Sequence, residues 1–209
     1  MGDAVATTAG ADNRRRQHRG DQRRQQILDA AVDLFAAKGF RGTALTELAA
    51  TVGTTNAGLL YYFGSKQRLL DEVVGERQLH EQTDLLSAVD PTEHAVTKLA
   101  DIVRHNVVHA VFLRLYVVLA AENLDEGDPL HTFFVERYET ARQLVRDSLV
   151  ASQASGDVRP DLDVEQVACE VVATLMGLEQ QWLMDPARVD LVARAEAYAD
   201  ALTARLAPT

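Results

Sequence analysis

Between Thr43 and Lys66 the chain reads Thr-Ala-Leu-Thr-Glu-Leu-Ala-Ala-Thr-Val-Gly-Thr-Thr-Asn-Ala-Gly-Leu-Leu-Tyr-Tyr-Phe-Gly-Ser-Lys, and this stretch constrains the fold more than any other. Leu45, Leu48, Ala49 and Val52 recur at i, i+3, i+4 and i+7, the spacing of one helical face. Gly53 follows, where a left-handed cap costs a glycine least. Thr54 and Thr55 are candidate caps of a second helix, and Leu59 and Phe63, four apart, give that helix a buried side. Two short helices joined at a tight glycine corner form a helix-turn-helix, the shape that sets its second helix in a DNA major groove. The same periodicity also suits an amphipathic helix pair inside an ordinary all-α core.

The outward face of the second helix is unusual, although it leaves both readings open. With Leu59 and Phe63 turned inward, 100° per residue places Thr54, Ala57 and Tyr61 opposite, flanked by Gly58 and Leu60. Ala57 suits a thymine methyl, Thr55 and Asn56 suit base edges or phosphate, and Tyr61 reaches phosphate. Gly58 within a helix costs about 1 kcal/mol relative to alanine, a cost that close backbone approach to another surface is expected to offset.

From Gly53, the run Gly-Thr-Thr-Asn-Ala-Gly-Leu-Leu-Tyr-Tyr-Phe-Gly-Ser-Lys resembles the signature of the TetR (tetracycline-repressor) family. In that family a Gly-Val-Ser-like corner leads to Leu-Tyr-x-His-Phe and a Ser-Lys. Upstream, Ile27-Leu28-x-Ala30-Ala31-x-x-Leu34-Phe35-x-x-x-Gly39-Phe40-x-x-Thr43 is similar to the family's first helix and turn. The resemblance covers about residues 22 to 73. It implies a dimeric transcription regulator, usually a repressor released from operator DNA by a small-molecule effector. The DNA-binding set it points to is Thr43, Thr54, Thr55, Asn56, Ala57, Gly58, Tyr61, Tyr62 and Lys66. Three residues depart from the pattern. Leu60 stands where many members carry a phosphate-contacting Tyr, and Tyr62 where many carry His. Ala44 replaces the Ser or Thr cap ahead of Glu47, which leaves a capping box half missing.

Charge is distributed as a DNA-binding end requires. The net charge of the whole chain is −10, which alone argues against nucleic acid. Residues 14 to 68, however, carry 10 Lys+Arg against 4 Asp+Glu, a net of +6, while residues 69 to 209 carry 11 against 25, a net of −14. A basic module on an acidic body is the footprint of DNA binding at one end. The single cysteine, Cys169, excludes an internal disulfide and a cysteine-rich zinc site. No apolar run approaches 18 residues and the amino end lacks an apolar core, so a soluble cytoplasmic protein without membrane contact is expected.

Taken in order, residues 1–20 read as a disordered basic arm holding Arg14-Arg15-Arg16-Gln17-His18-Arg19, suited to phosphates or a minor groove, or simply solubilising. Asp21 is a candidate cap for a helix whose Ile27, Ala31, Leu34 and Phe35 point inward as far as Gly39. With the pair at 45–63, that helix completes a DNA-binding domain over 21–66. Ser65 opens a long helix toward Val89, ahead of Asp90-Pro91. At 1.5 Å per residue it spans about 36 Å, a lever into an effector-binding and dimerisation domain over 67–209. Breaks at Gly127-Asp128-Pro129, at 155–160 and at Asp185-Pro186 leave helices near 92–108, 110–124, 129–154, 163–184 and 187–206. The junction at His109 carries neither Gly nor Pro. The fold class is therefore all-α, with about nine helices.

The last two helices have broad apolar faces and are the candidate dimer surface, through Val171, Leu175, Leu178, Leu191, Ala195, Tyr198 and Leu202. The alternative is that both faces are internal core. A regulator that reads two half-sites needs a twofold axis, which favours the homodimer. Candidates for an effector pocket are His105, His109, Phe112, Tyr116, Phe134, Tyr138, Cys169, Met176, Glu179 and Trp182, on helices that surround the effector cavity in TetR-like proteins. Each residue taken alone also fits core packing or solvent exposure. His105 and His109 have i, i+4 metal-ligand spacing but no third ligand at a fixed offset, so no metal is assigned. No cofactor is implied. The chain shows no nucleophile elbow, phosphate-binding glycine loop, HExxH or cysteine pair, which argues against an enzyme. A helical adaptor, or a regulator acting without a ligand, is the remaining alternative.

Overall fold

The computed structural model describes residues 3–76 and 95–208, and every regular element in them is helical. Helix α1 (Asp3–Gly42) is followed by α2 (Leu45–Thr51), α3 (Asn56–Phe63) and α4, which covers 66–76 of the described residues. After a 3₁₀ turn (Ala95–Lys98) come α5 (Leu99–Val108), α6 (Ala110–Glu122), α7 (His131–Ser155), α8 (Val164–Met184) and α9 (Leu191–Leu206). Beyond residue 76 the long helix expected from Ser65 to Val89 lies outside the described residues. Among the described residues no single helix is long and apolar enough to cross a membrane.

The chain divides into two compact units, Met1–His80 and Glu81–Thr209. The division falls after the start of the long helix rather than at residue 66. Leu69, Leu70, Val73 and Val74 of α4 are buried, and Arg24 of α1 pairs with Glu72 and Glu76. Helices of seven and eight residues such as α2 and α3 are unstable alone, so their burial of Leu48, Ala49, Leu59 and Phe63 is what holds them.

Residues 3–20, expected to form a disordered arm, continue α1 as helix. The segment has no proline, and its alanine, arginine and glutamine residues rank high in helix propensity, so extension from a packed helix is inexpensive. Asp21 consequently lies inside α1 and caps nothing. The helix is interrupted where the sequence suggests, at Gly39 (φ 75°, ψ 170°).

In the second unit the main packings are α7 on α8 and α5 on α9, with α8 also against α9 and α6. One apolar cluster joins Leu99, Leu149, Val167, Ala168, Val171, Leu202 and Leu206. A second joins Val103, Leu191 and Ala195, with Leu175, Leu178 and Trp182 packed against it. The connections are tied by hydrogen bonds. Asn123 is buried, donating to the Leu119 carbonyl (2.7 Å) and accepting from the Leu130 N–H (2.9 Å), which joins α6 to α7. Gly156 ends α7 in the left-handed conformation. At His109 the chain turns by 97° between α5 and α6 without a breaker residue. The cause is tertiary, since α5 buries Leu99, Ala100 and Val103 and packs on α9, while α6 buries Leu115, Tyr116 and Leu119 and packs on α8.

Candidate nucleic-acid interface

The corner between α2 and α3 is built from short-range bonds. Ala44 occupies the cap of α2 without a side-chain bond, as the half-missing capping box implies, and Glu47 pairs instead with Lys38. Gly53 takes φ 64°, and Arg23 of α1 donates to its carbonyl oxygen (2.9 Å). Thr55 is the cap of α3, its hydroxyl accepting the Gly58 N–H at 3.1 Å. Leu59 and Phe63 are buried, which leaves Thr55, Asn56, Ala57 and Tyr61 exposed, Tyr61 at 84%. Thr54, Gly58 and Tyr62 are half-buried, and Leu60 is 42% exposed.

Gly58 sits close to the residues that open α3. A Cβ there would meet the Thr54 hydroxyl at 2.5 Å. A side chain at this position would therefore have to displace the Thr54 hydroxyl.

Two of the residues expected to touch DNA have partners inside this unit. Thr43 is 3% exposed, and its hydroxyl donates to the carbonyls of Gly39 (2.8 Å) and Leu34 (3.3 Å). Lys66 donates to the Phe40 carbonyl, and its ammonium sits 4.3 Å from the centre of the Phe40 ring. Both side chains hold the turn at Gly39–Thr43, which presents Phe40 edge-on to buried Phe35 (5.7 Å between centroids). Ser65 caps α4, accepting the Arg68 N–H at 3.0 Å.

An open groove runs between α1 and α3, lined by Arg19, Gly20, Gln22, Arg23, Gln26, Tyr61 and Tyr62. Residues 19, 22, 23 and 26 recur at helical spacing on one side of α1. Apart from Arg19 in the basic run, these α1 residues escaped notice in the sequence, because their relation to α3 spans about 40 positions.

In the second unit the candidate pocket residues divide into three groups. His105, His109 and Phe112 form a ring cluster, with the two imidazoles 4.5 Å apart. Tyr116 is buried against Phe133 and Phe134, with Arg137 at 4.1 Å over its ring and Tyr138 beyond Phe134. Burial pushes the Tyr138 phenol above its ordinary pKa, with Arg137 offsetting part of this. Glu179 is buried and accepts from Asn106 Nδ2 at 2.6 Å, bridging α8 and α5. Cys169 is exposed and Met176 is 37% exposed, so both lie on the outside of α8 rather than in an interior pocket, and Trp182 packs on the Val103–Leu191 cluster.

The dimer candidates pack within the protomer to differing degrees. Val171, Leu191, Ala195 and Leu202 are at most 2% exposed inside a single protomer, and Leu175, Leu178 and Tyr198 pack against the same two clusters. The outward stripe of α8 is Cys169, Ala173, Met176 and Gln180, and that of α9 is Ala193, Ala197, Ala201 and Ala204.

Comparison with known proteins places both units. Residues 27–73 match the family model of bacterial regulatory proteins, tetR family, and residues 116–208 match that of the BetI-type transcriptional repressor, C-terminal. The HTH-type transcriptional regulator TtgR of Pseudomonas putida is 28% identical over 200 residues, covering 90% of this chain and 92% of TtgR. The fold is shared with the transcriptional regulator FadR from Bacillus subtilis in complex with stearoyl-CoA (TM-score 0.69, 22% identity, 86% of this chain and 97% of that one). It is shared too with a putative transcriptional regulator from Saccharomonospora viridis in complex with choline (TM-score 0.71, 20% identity, 87% and 95%).

Proposed function

Because the chain belongs to the TetR family of bacterial transcriptional regulators, we propose that it acts as a homodimeric repressor. In this reading α3 enters the operator major groove, and a small molecule bound in the second unit releases the DNA. The observation that carries the DNA reading is the outward face of α3, where Thr55, Asn56, Ala57 and Tyr61 are exposed while Leu59 and Phe63 are buried. Base edges fall to Thr55, Asn56 and Ala57, and phosphate to Tyr61. Such a protein works beside cytoplasmic DNA and needs no catalytic group.

Duplex selection from a random pool tests this. Recovered sites are expected to be twofold-symmetric, with half-sites one helical turn, about 34 Å, or a multiple of it apart. Tyr61→Ala should weaken every selected duplex about tenfold, roughly 1.4 kcal/mol, without reordering them. Failure of the chain to enrich any duplex would sink the reading.

The second copy is assigned to the outward stripes of α8 and α9, which apart from Gln180 are small or apolar and lie on neighbouring helices. Effector control draws support from the ligand complexes of the FadR and Saccharomonospora proteins and from the polar groups set among apolar helices here, Glu179 with Asn106 and Tyr116 under Arg137. A ligand found by thermal-shift screening should bind more weakly in the presence of a selected duplex, by the same factor that it weakens the duplex. Equal affinities with and without DNA would leave a regulator lacking this switch.

A further inference from the structure

Helix α3 carries two adjacent leucines, and the fold treats them oppositely. Leu59 is buried beneath the helix, while Leu60 is exposed on its flank. At 100° per residue Leu60 and Tyr62 stand on opposite flanks, and the groove beside α1 takes in Tyr61 and Tyr62 but not Leu60. Leu60 neighbours Ala57, three residues earlier and also exposed, so the two make a small apolar strip on the recognition helix. The strip is continuous with Asn56, exposed one turn before Leu60. A leucine is not stabilised by water and has no donor to offer a phosphate, so this place on the helix suits an apolar contact. Residues 14 to 68 carry a net charge of +6, which fits a polyanion better than an apolar protein surface. On the base edges of a major groove the apolar feature is the C5-methyl group of thymine.

We propose that Leu60, with Ala57 beside it, reads the C5-methyl group of a pyrimidine in each operator half-site, which makes Leu60 a specificity-determining residue. The proposal rests on the DNA reading above and adds a base-reading side chain beyond Thr55, Asn56 and Ala57. Leucine distinguishes bases only by shape and apolar area, so it selects for the methyl group rather than for an oxygen or nitrogen on the base edge. Burying one methyl group amounts to about fourfold in affinity, hence about sixteenfold over two half-sites. The contact neutralises no phosphate, so it adds sequence choice without adding salt dependence. Thymine supplies the methyl group in unmodified DNA, and 5-methylcytosine presents the same group at the same place.

The test uses the full-length chain and a duplex it has itself selected from a random pool. Deoxyuridine, which lacks the methyl group, replaces each recovered thymine in turn at both half-sites. At one position the parent chain should lose about sixteenfold in affinity, and Leu60→Ala should lose most of that difference. Leu60→Met should keep it, and the salt slopes of all three proteins should agree. With that T·A pair replaced by C·G, methylating the cytosine at C5 should strengthen binding by the parent and not by Leu60→Ala. Absence of any position sensitive to methyl removal overturns the proposal and leaves the strip to a protein partner. A uracil penalty of equal size in the parent and Leu60→Ala overturns it as well, by giving the methyl group to another residue. So does a uniform loss for every duplex in Leu60→Ala, or a lowered melting temperature with the discrimination intact, which would make Leu60 structural. In each of those cases the chain still selects a duplex, so the DNA reading survives. Failure to select any duplex defeats that reading first and this proposal with it.

Discussion

Val171→Asp is expected to destabilise the second unit severely, whereas Met176→Arg, five residues later on the same helix, is expected to leave it stable and monomeric. Val171 is 1% exposed within the cluster that joins α7, α8 and α9, and that cluster is apolar throughout its described residues. A carboxylate left uncompensated in such a place costs about 3–5 kcal/mol, a fall of roughly 10–20 °C in Tm for a unit of this size. Met176 belongs to the outward stripe of α8, where a charge changes monomer stability by about 0.5 kcal/mol or less. Arginines brought face to face across a twofold repel, so sedimentation should show monomers. Operator affinity should drop 100-fold or more as the linked second half-site is lost. Thermal denaturation and sedimentation of the two variants decide the matter. A folded Val171→Asp monomer would return the interface to the inner faces, and a dimeric Met176→Arg would move it away from the middle of α8.

The second large effect is expected at Gly39. Its backbone (φ 75°, ψ 170°) lies in a region open essentially to glycine alone, and the residue is buried. Gly39→Ala should cost about 1–3 kcal/mol, against about 1 kcal/mol for Gly53→Ala, where φ 64° is an ordinary left-handed corner with open space around it. Thr43→Val at the same turn should cost about 1–3 kcal/mol more, because the Gly39 carbonyl loses the hydroxyl that satisfies it. Lys66→Met should likewise lower stability through the Phe40 carbonyl while leaving the salt slope of DNA binding unchanged. The readouts are the melting of the first unit and the salt dependence measured on folded protein. A Gly39→Ala variant as stable as the parent would contradict the account of this turn. A slope reduced by about 0.9 per protomer, hence about 1.8 for the dimer, in Lys66→Met would return Lys66 to the phosphates.

These two cases mark how far sequence reading reached. The features it located correctly are local ones. Gly53 ends α2, Thr55 caps α3, Ser65 caps α4, and the breaks near 127–129, 156 and 185 separate the later helices. Each depends on bonds between residues three or four apart, or on a backbone angle that one residue type tolerates, so the information is contained in a short window. The inward set of α3 is of the same kind, because Leu59 and Phe63 are the large apolar pair at i, i+4 whose burial a short helix requires.

Other assignments depended on residues far apart in the chain. Thr43 and Lys66 look like DNA contacts in a basic module, yet Lys66 serves a carbonyl 26 positions away. On α8 both sides of the helix are apolar enough to be buried, and hydrophobicity does not say which side meets α7 and α9 and which a second copy. Val171 and Met176 are equally eligible by composition, and only the packing of the monomer distinguishes them. The bend at His109 carries no residue signal, because two helices with different partners impose it. Residues 3–20 show the reverse, a strong local propensity hidden by a composition that suggested disorder. By itself the sequence determined most of the helices beyond α1, the caps at Thr55 and Ser65 and the α2–α3 corner, since those energies are short-range. The tertiary structure alone decided which faces are core, which cations are already engaged, and where a groove opens beside the recognition helix, since burial is a property of neighbours distant in the chain.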